Sequence, residues 1–200
     1  GFFYVINRET GKLISAKPFV ETTWASHVDS ITGKPEINPN ARYEKGSVYI
    51  TPSPHGAHSW HAMSYNPITG LVYIPAIHDA AIYDDSKTNL DDWKKNPDKG
   101  GIAVSLSDPD SLPRPYLGSL IAWDPATQKQ VWIVPHEELW NAGTLTTAGG
   151  LVFQGTAKGK FNAYDASRGK LRWSFDAGLG ISAPPITYKI KGKQYIALLV

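Results

Sequence analysis

Apolar and polar positions alternate along short stretches of this chain, and two of those stretches superimpose at a spacing of 41 residues. Leu120-Ile-Ala-Trp123-Asp124-Pro-Ala-Thr-Gln-Lys-Gln-Val-Trp132 matches Phe161-Asn-Ala-Tyr164-Asp165-Ala-Ser-Arg-Gly-Lys-Leu-Arg-Trp173. In each copy an alternating strand runs into an Asp-led turn, and a second strand carries a Trp eight residues after the Asp. Alternation broken by turn residues predicts strands. A repeat of about 40–45 residues with this content is the size of one four-stranded propeller blade.

The second copy is framed by Gly143-Thr-Leu-Thr-Thr, a turn at Ala148-Gly149-Gly150, Leu151-Val-Phe-Gln-Gly-Thr and a turn at Lys158-Gly159, which predicts four short strands. Weaker relatives of the motif stand at Phe3-Tyr-Val-Ile-Asn7-Arg-Glu-Thr-Gly11-Lys and at Tyr65-Asn66-Pro-Ile-Thr-Gly70-Leu-Val-Tyr-Ile. Read in order, a single propeller domain would contribute a half blade over 1–20, a looped blade over about 47–135, a compact blade over about 140–177 and a half blade over 181–200. The expected fold is all-β, a partial β-propeller of about three blades with long loops, and a closed ring needs at least about four. The chain begins with an apolar run and no Met, and stops inside the strand-like Tyr195-Ile-Ala-Leu-Leu-Val200, so it is expected to be a piece of a longer protein.

Composition agrees with a globular β protein: 42% hydrophobic and 12% aromatic, with 18 Gly and 15 Pro for the turns. A net charge of +2 from 20 basic and 18 acidic residues has no strong sign and calls for no nucleic acid. No apolar run approaches a membrane span. The absence of Cys excludes thiolate metal sites, haem attachment and disulfides within the chain. Two long insertions are left over from the repeat. Residues 21–50 hold Trp24, His27 and Asp29, and residues 78–116 hold Asp84-Asp85, Asp91-Asp92-Trp93 and a proline-rich exit over 109–115. Insertions of this length in a compact repeat cap a site or bind a partner more often than ordinary loops do.

Pro54-His55-Gly-Ala-His58-Ser59-Trp60-His61 spaces three His at intervals of three. On a strand, alternation would put His55, Ser59 and His61 on one face and His58 and Trp60 on the other, so three metal ligands would not converge. No metal site is assigned. Gly155-Thr-Ala-Lys-Gly159-Lys160 is one residue short of a phosphate loop and joins two predicted strands, so it reads as a hairpin turn. Trp132 and Trp173 hold matching repeat positions and are expected to pack between blades. Trp60 and Trp140 stand outside that register, Trp140 beside Asn141-Ala142-Gly143-Thr144, and are expected to face something other than the core.

At this point a resemblance emerges. Gly1-Phe-Phe-Tyr-Val-Ile-Asn-Arg-Glu-Thr-Gly-Lys, Gly56-Ala-His-Ser-Trp-His-Ala-Met-Ser-Tyr-Asn-Pro-Ile-Thr-Gly-Leu-Val-Tyr-Ile-Pro, Trp140-Asn-Ala-Gly-Thr-Leu-Thr-Thr-Ala-Gly-Gly-Leu-Val-Phe-Gln-Gly-Thr and Ala183-Pro-Pro-Ile-Thr-Tyr with Gly192-Lys-Gln-Tyr run from end to end of the chain. Together they resemble the pyrroloquinoline quinone-dependent alcohol dehydrogenases, the quinoprotein methanol and ethanol dehydrogenase family, built on a propeller of about eight blades.

The resemblance implies a periplasmic enzyme that oxidises a small alcohol by hydride transfer to the quinone, with calcium or a lanthanide as Lewis acid and an Asp base. Electrons would leave singly, to a cytochrome c or a haem c domain after the propeller. By position, Ser59, Trp60 and Trp140 fall where the family places residues against the cofactor. Ser59 is a departure, since many members have Asn there, and a hydroxyl reaches less far than an amide. The resemblance places the catalytic Asp, the calcium ligands, a stacking Trp, a vicinal Cys pair and a basic residue before Gly1. It implies no catalytic residue and no metal ligand within 1–200, and no activity for the stretch alone. Two other classes share the repeats: a non-enzymatic scaffold of the outer-membrane assembly type, and a membrane-bound sugar or polyol quinoprotein.

Overall fold

The turn that closes each repeat recurs well beyond the two copies that reveal it. In the computed structural model, which describes residues 1–44, 46–86, 89, 94, 105–107 and 115–200, an Asx side chain caps five turns in the same way. The oxygens of Asp124 accept the backbone N–H groups of Ala126 and Thr127, and Asp165 does the same for Ser167 and Arg168. Asn7 caps Glu9 and Thr10, Asp29 caps Ile31 and Thr32, and Asn66 caps Ile68. Four residues after each Asx the backbone turns left-handed, at Gly11, Gly33, Gln128, Gly70 and Gly169, with φ between 56° and 70°. Short Asx side chains bond their own backbone two and three residues on, and glycine accepts positive φ without strain.

These turns set the sheets. The chain opens with the hairpin β1 (Phe2–Ile6) and β2 (Leu13–Pro18), followed by a second hairpin, β3 (Ala25–Val28) and β4 (Pro35–Ile37). After a single 3-10 turn over Pro39–Ala41 come β5 (Val48–Ile50), β6 (Ser64–Asn66), β7 (Leu71–Ile77), β8 (Ala81–Asp84) and β9 (Ser105–Ser107). The chain then forms β10 (Gly118–Asp124) and β11 (Lys129–His136), the run β12 (Thr144–Thr147), β13 (Leu151–Gly155), β14 (Lys160–Asp165) and β15 (Leu171–Asp176), and a last hairpin, β16 (Ile186–Ile190) and β17 (Lys193–Ala197).

Strands β6, β7, β10 and β11 make one four-stranded antiparallel blade, and β12 to β15 make the next. The all-β propeller architecture read from the repeat is therefore present, as an open array of sheets. Within the span expected for the looped blade, β5 lies outside the blade sheet and pairs with β8, itself paired with β9. Residues 21–50 carry the hairpin β3–β4 as well as β5, so that stretch is built of strands and is not a plain loop. Asp91, Asp92, Trp93 and the stretch 109–114 lie outside the described residues.

The cores lie between sheets. Leu120 and Ala122 face the next blade, packing with Leu71, Tyr73, Trp132, Val152, Tyr164 and Ala166, while Ile121 and Trp123 face the previous hairpin with Val20, Ile74 and Phe3. Alternation along β10 thus buries both faces of one strand, which is why Leu120-Ile-Ala-Trp123 reads as continuously apolar. A third core joins the compact blade to the last hairpin through Phe153, Phe161, Ile181, Ile196 and Leu198.

Trp132 crosses the joint between blades. It is 9% exposed, donates from its indole N–H to the carbonyl of Ala166 at 3.1 Å, and lies 5.7 Å from the Tyr73 ring. The Tyr73 hydroxyl donates to the same carbonyl at 2.9 Å. Trp173, its repeat mate, packs on Phe161 and Phe175 and stays 51% exposed, with no such bond across a joint among the described residues.

Gly169 and Gly11 hold equivalent turn positions at φ 69° and 68°, but a Cβ on Gly169 would lie 2.7 Å from the Trp132 ring while one on Gly11 would meet nothing within 4 Å. Gly11→Ala should cost about 1–2 kcal/mol, the conformational term alone, and Gly169→Ala distinctly more. Trp132→Ala should cost about 3–5 kcal/mol. Urea unfolding of the three variants checks this, and equal losses for the two glycines would show that Trp132 does not rest on the turn.

Candidate functional site

The innermost strands of the two complete blades are stitched edge to edge. Thr144 donates its backbone N–H to the carbonyl of Ala62 at 2.8 Å, and its hydroxyl lies 2.8 Å from that of Ser64. The Asn66 amide donates to the Thr146 hydroxyl at 2.9 Å. Gly143 makes the approach possible, since a Cβ there would stand 2.7 Å from the Ala62 nitrogen. This seam sets two connections side by side: residues 51–63, entering β6, and residues 137–143, entering β12.

Both connections are fastened. In the first, Ser53 N–H donates to Asp79 O at 3.0 Å, Ile77 N–H to Ala57 O at 2.8 Å, and His58 Nδ1 to Pro75 O at 2.8 Å. In the second, His136 donates from Nε2 to Gln154 Oε1 at 3.0 Å, and Gln154, fully buried, passes its own amide N–H to Ala142 O at 3.0 Å. Asn141 bonds Glu138 O and accepts from Ala157 N–H. Lys158 pairs with Glu137 and Glu138 at the surface, where such pairs contribute little.

Trp60 and Trp140 meet at this joint with His61 between them. The His61 ring stacks on Trp60 at 3.9 Å between centroids and 27° between planes, and lies 5.4 Å from Trp140 at 32°. His61 is 2% exposed, whereas Trp60 is 65% and Trp140 37% exposed. On its other side Trp140 meets the His55 ring at 5.4 Å and 75°, and His55 Nδ1 donates to Asp79 Oδ2 at 2.9 Å. Ser59 is half-buried next to Trp60. The arrangement offers two flat indole surfaces to solvent on a rigid, partly buried imidazole frame.

The segment 51–63 contains no strand, so the alternation argument for its three His does not hold. In a loop, His55 and His61 both reach Trp140 while His58 turns away to Pro75, and Ser59 and Trp60 need not point to opposite sides. Among the described residues, no group of three or more His, Asp or Glu side chains converges as a metal cage. The sequence reading singled out Trp60 and Trp140 but missed His61 as their spacer and Asp79 altogether. The His55–His61 spacing was a usable signal; Asp79, 24 residues after His55, gave none.

Burial pushes the His61 imidazole below its usual range, and the neighbouring His58 adds to this. Its Nε2 is buried without a hydrogen-bond partner among the described residues. Burial also lowers His136, partly offset by its bond to Gln154, and brings His78 down to about 4. His78 lies on a separate cavity of about 540 Å³ with Phe19, Tyr49, Tyr116 and Trp123.

Comparison with known proteins places this geometry. The Glucose/ethanol/alcohol dehydrogenase beta-propeller domain matches residues 10–196. A quinohemoprotein alcohol dehydrogenase, ADH IIB of Pseudomonas putida, is 47% identical over 199 residues, covering 100% of this chain and 28% of that protein. The crystal structure of quinohemoprotein alcohol dehydrogenase from Comamonas testosteroni superposes with a TM-score of 0.85 at 42% identity, over 99% of this chain and 30% of that one. A europium-containing methanol dehydrogenase superposes at 0.83 with 31% identity, over 99% of this chain and 34% of its own. The chain thus spans about a third or less of the length of these relatives. No helix among the described residues is long and apolar enough to cross a membrane.

The lowered His61, His78 and His136 predict how stability depends on pH. The unfolded chain, with ordinary imidazoles, binds protons first as the pH falls, so the stabilisation of the neutral folded state is complete above about pH 6.5 and is lost below it, down to about 4 for His78. Urea unfolding across this range should show stability falling toward acid, and His78→Asn should flatten the decline. A profile unchanged by His78→Asn would contradict the assignment.

Proposed function

The chain belongs to the family of the Glucose/ethanol/alcohol dehydrogenase beta-propeller domain, and from that premise we propose that it forms part of a quinoprotein that oxidises alcohols with pyrroloquinoline quinone. The observation that carries the reading is the pair of exposed indoles, Trp60 and Trp140, held apart by buried His61 where two blades meet. These residues fit a planar cofactor: flat indole surfaces favour stacked or edge contacts with aromatic rings, and the Ser59 hydroxyl and the indole N–H groups supply donors at the rim.

The chain's own work in this reading is binding and orientation. Trp60 and Trp140 would hold the cofactor and keep water from it, and Ser59 would offer it a hydrogen bond. When bound, the quinone supplies the hydride acceptor and a calcium or lanthanide ion supplies Lewis acidity. The Asp base and the metal ligands are proposed to precede Gly1, leaving no catalytic residue and no metal ligand within 1–200. A haem domain is supported by the quinohemoprotein names of two relatives, a cytochrome c acceptor by the name of a third, 1-butanol dehydrogenase (cytochrome c) of Thauera butanivorans, and a lanthanide by the europium named in a fourth. A periplasmic location rests on the family resemblance alone.

The full-length gene product, loaded with pyrroloquinoline quinone and calcium, should reduce an electron-accepting dye with short primary alcohols. No cofactor-dependent turnover with any alcohol would overturn the reading, and turnover with glucose alone would move it to the sugar quinoproteins. In the same product, Trp140→Ala should weaken cofactor binding about tenfold, or about 1.4 kcal/mol. An unchanged affinity, measured by equilibrium dialysis of the cofactor, would return Trp140 to a packing role.

A further inference from the structure

We propose that Asp79, acting through His55, positions Trp140, so that a carboxylate at the end of β7 sets the tilt of an indole on the next blade's entry loop. The inference rests on the reading of Trp140 as a cofactor wall, and adds to it two residues that would act through that indole.

Asp79 is itself held in place. Its carbonyl accepts the Ser53 N–H at 3.0 Å and the Thr51 hydroxyl at 3.1 Å, and its side chain is largely buried. Its carboxylate accepts from His55 Nδ1 at 2.9 Å, which fixes the imidazole proton on Nδ1 and with it the rotation of the ring. Ser53 Oγ, accepting the His55 backbone N–H at 3.2 Å, holds the same residue from the main-chain side. The ring so fixed meets Trp140 in a T-shaped contact at 5.4 Å, a preferred geometry for aromatic pairs.

His61 closes the other side. Trp140 therefore stands between two imidazoles, one anchored to a carboxylate and the other wedged against Trp60. An exposed indole on a connection between blades would otherwise lose side-chain freedom on binding. The brace removes that loss before the cofactor arrives. Three separate segments supply it, 53–61, the end of β7 and 137–143, so it exists only once both blades have folded and docked.

The test uses the full-length protein with 5-fluorotryptophan incorporated, together with Asp79→Asn, His55→Ala and the double variant. In cofactor-free protein, the fluorine resonance assigned to Trp140 should shift or broaden in both single variants, while the thermal midpoint stays close to the parent for Asp79→Asn. Cofactor affinity by equilibrium dialysis should fall about fivefold in His55→Ala and less in Asp79→Asn. The double variant should match His55→Ala within about twofold, because a residue acting only through another has nothing further to remove. Additive losses, or an unchanged Trp140 resonance and affinity in Asp79→Asn, would overturn the brace. If His55→Ala does not fold, Asp79→Asn, which preserves shape, decides alone. Trp140→Ala separates the two readings. A loss of affinity there beside parental affinity in His55→Ala overturns only the brace, whereas parental affinity in Trp140→Ala removes the cofactor wall and leaves the fluorine signal to judge the contact.

Discussion

The seam between β6 and β12 is the constraint on which the site depends. Ala62 O, Ser64 and Asn66 on one strand meet Thr144 and Thr146 on the other, through contacts between residues about 80 positions apart. Each hydrogen bond contributes only about 1 kcal/mol net, and closing so long a loop costs entropy that grows slowly with its length. What makes the seam possible is the apolar core beneath it. With Tyr73, Leu120, Trp132 and Val152 packed between the same two blades, the inner edges already lie close, and the hydroxyls and amides fix their register. Gly143 is the tightest point, with no space for a Cβ against Ala62. Any shift there would carry the 137–143 connection, and Trp140 with it, away from Trp60.

Tryptophan does different work on either side of this seam. Trp132 sits in the repeat register and spans the joint, with its N–H satisfied by Ala166. Trp60 and Trp140 lie outside the register, on connections, and keep their faces in solvent. Trp173 shares the motif with Trp132 and packs on Phe161 and Phe175. Trp132 is covered because a turn of the next blade, 166–169, folds over it.

Those differences mark what was legible in the sequence. The Asx turns were legible because their chemistry is local: a side chain bonding its own backbone two or three residues on leaves a signature such as Asn7 to Gly11 or Asn66 to Gly70. The four strands of the compact blade follow from such turns and from alternation. Asp29 to Gly33 carries the same signature and was passed over, hiding the hairpin β3–β4 within an apparent loop. Pairing of β5 with β8, and of His55 with Asp79, depends on segments that meet only in the folded chain, and no local pattern announces it. The three His form no metal cage among the described residues, as their spacing implies, although the strand alternation used to argue it is replaced by a loop.

The same packing explains why recognition falls to these loops. Strand β10 buries Leu120 and Ala122 on one side and Ile121 and Trp123 on the other, so both faces of that strand are spent on packing. The buried polar groups are also committed: Gln154 uses both amide atoms, one on His136 and one on Ala142, to hold the loop. What remains available is at the ends of the strands, where connections from successive blades converge and a side chain can be presented without disturbing a core. An indole there is useful only if its orientation is fixed, since a freely rotating ring would give up on binding much of what its surface gains. Rigid blades, the bonds of His55, His58, Asn141 and Gln154 to protein, and imidazoles packed on the indoles all act toward that one end.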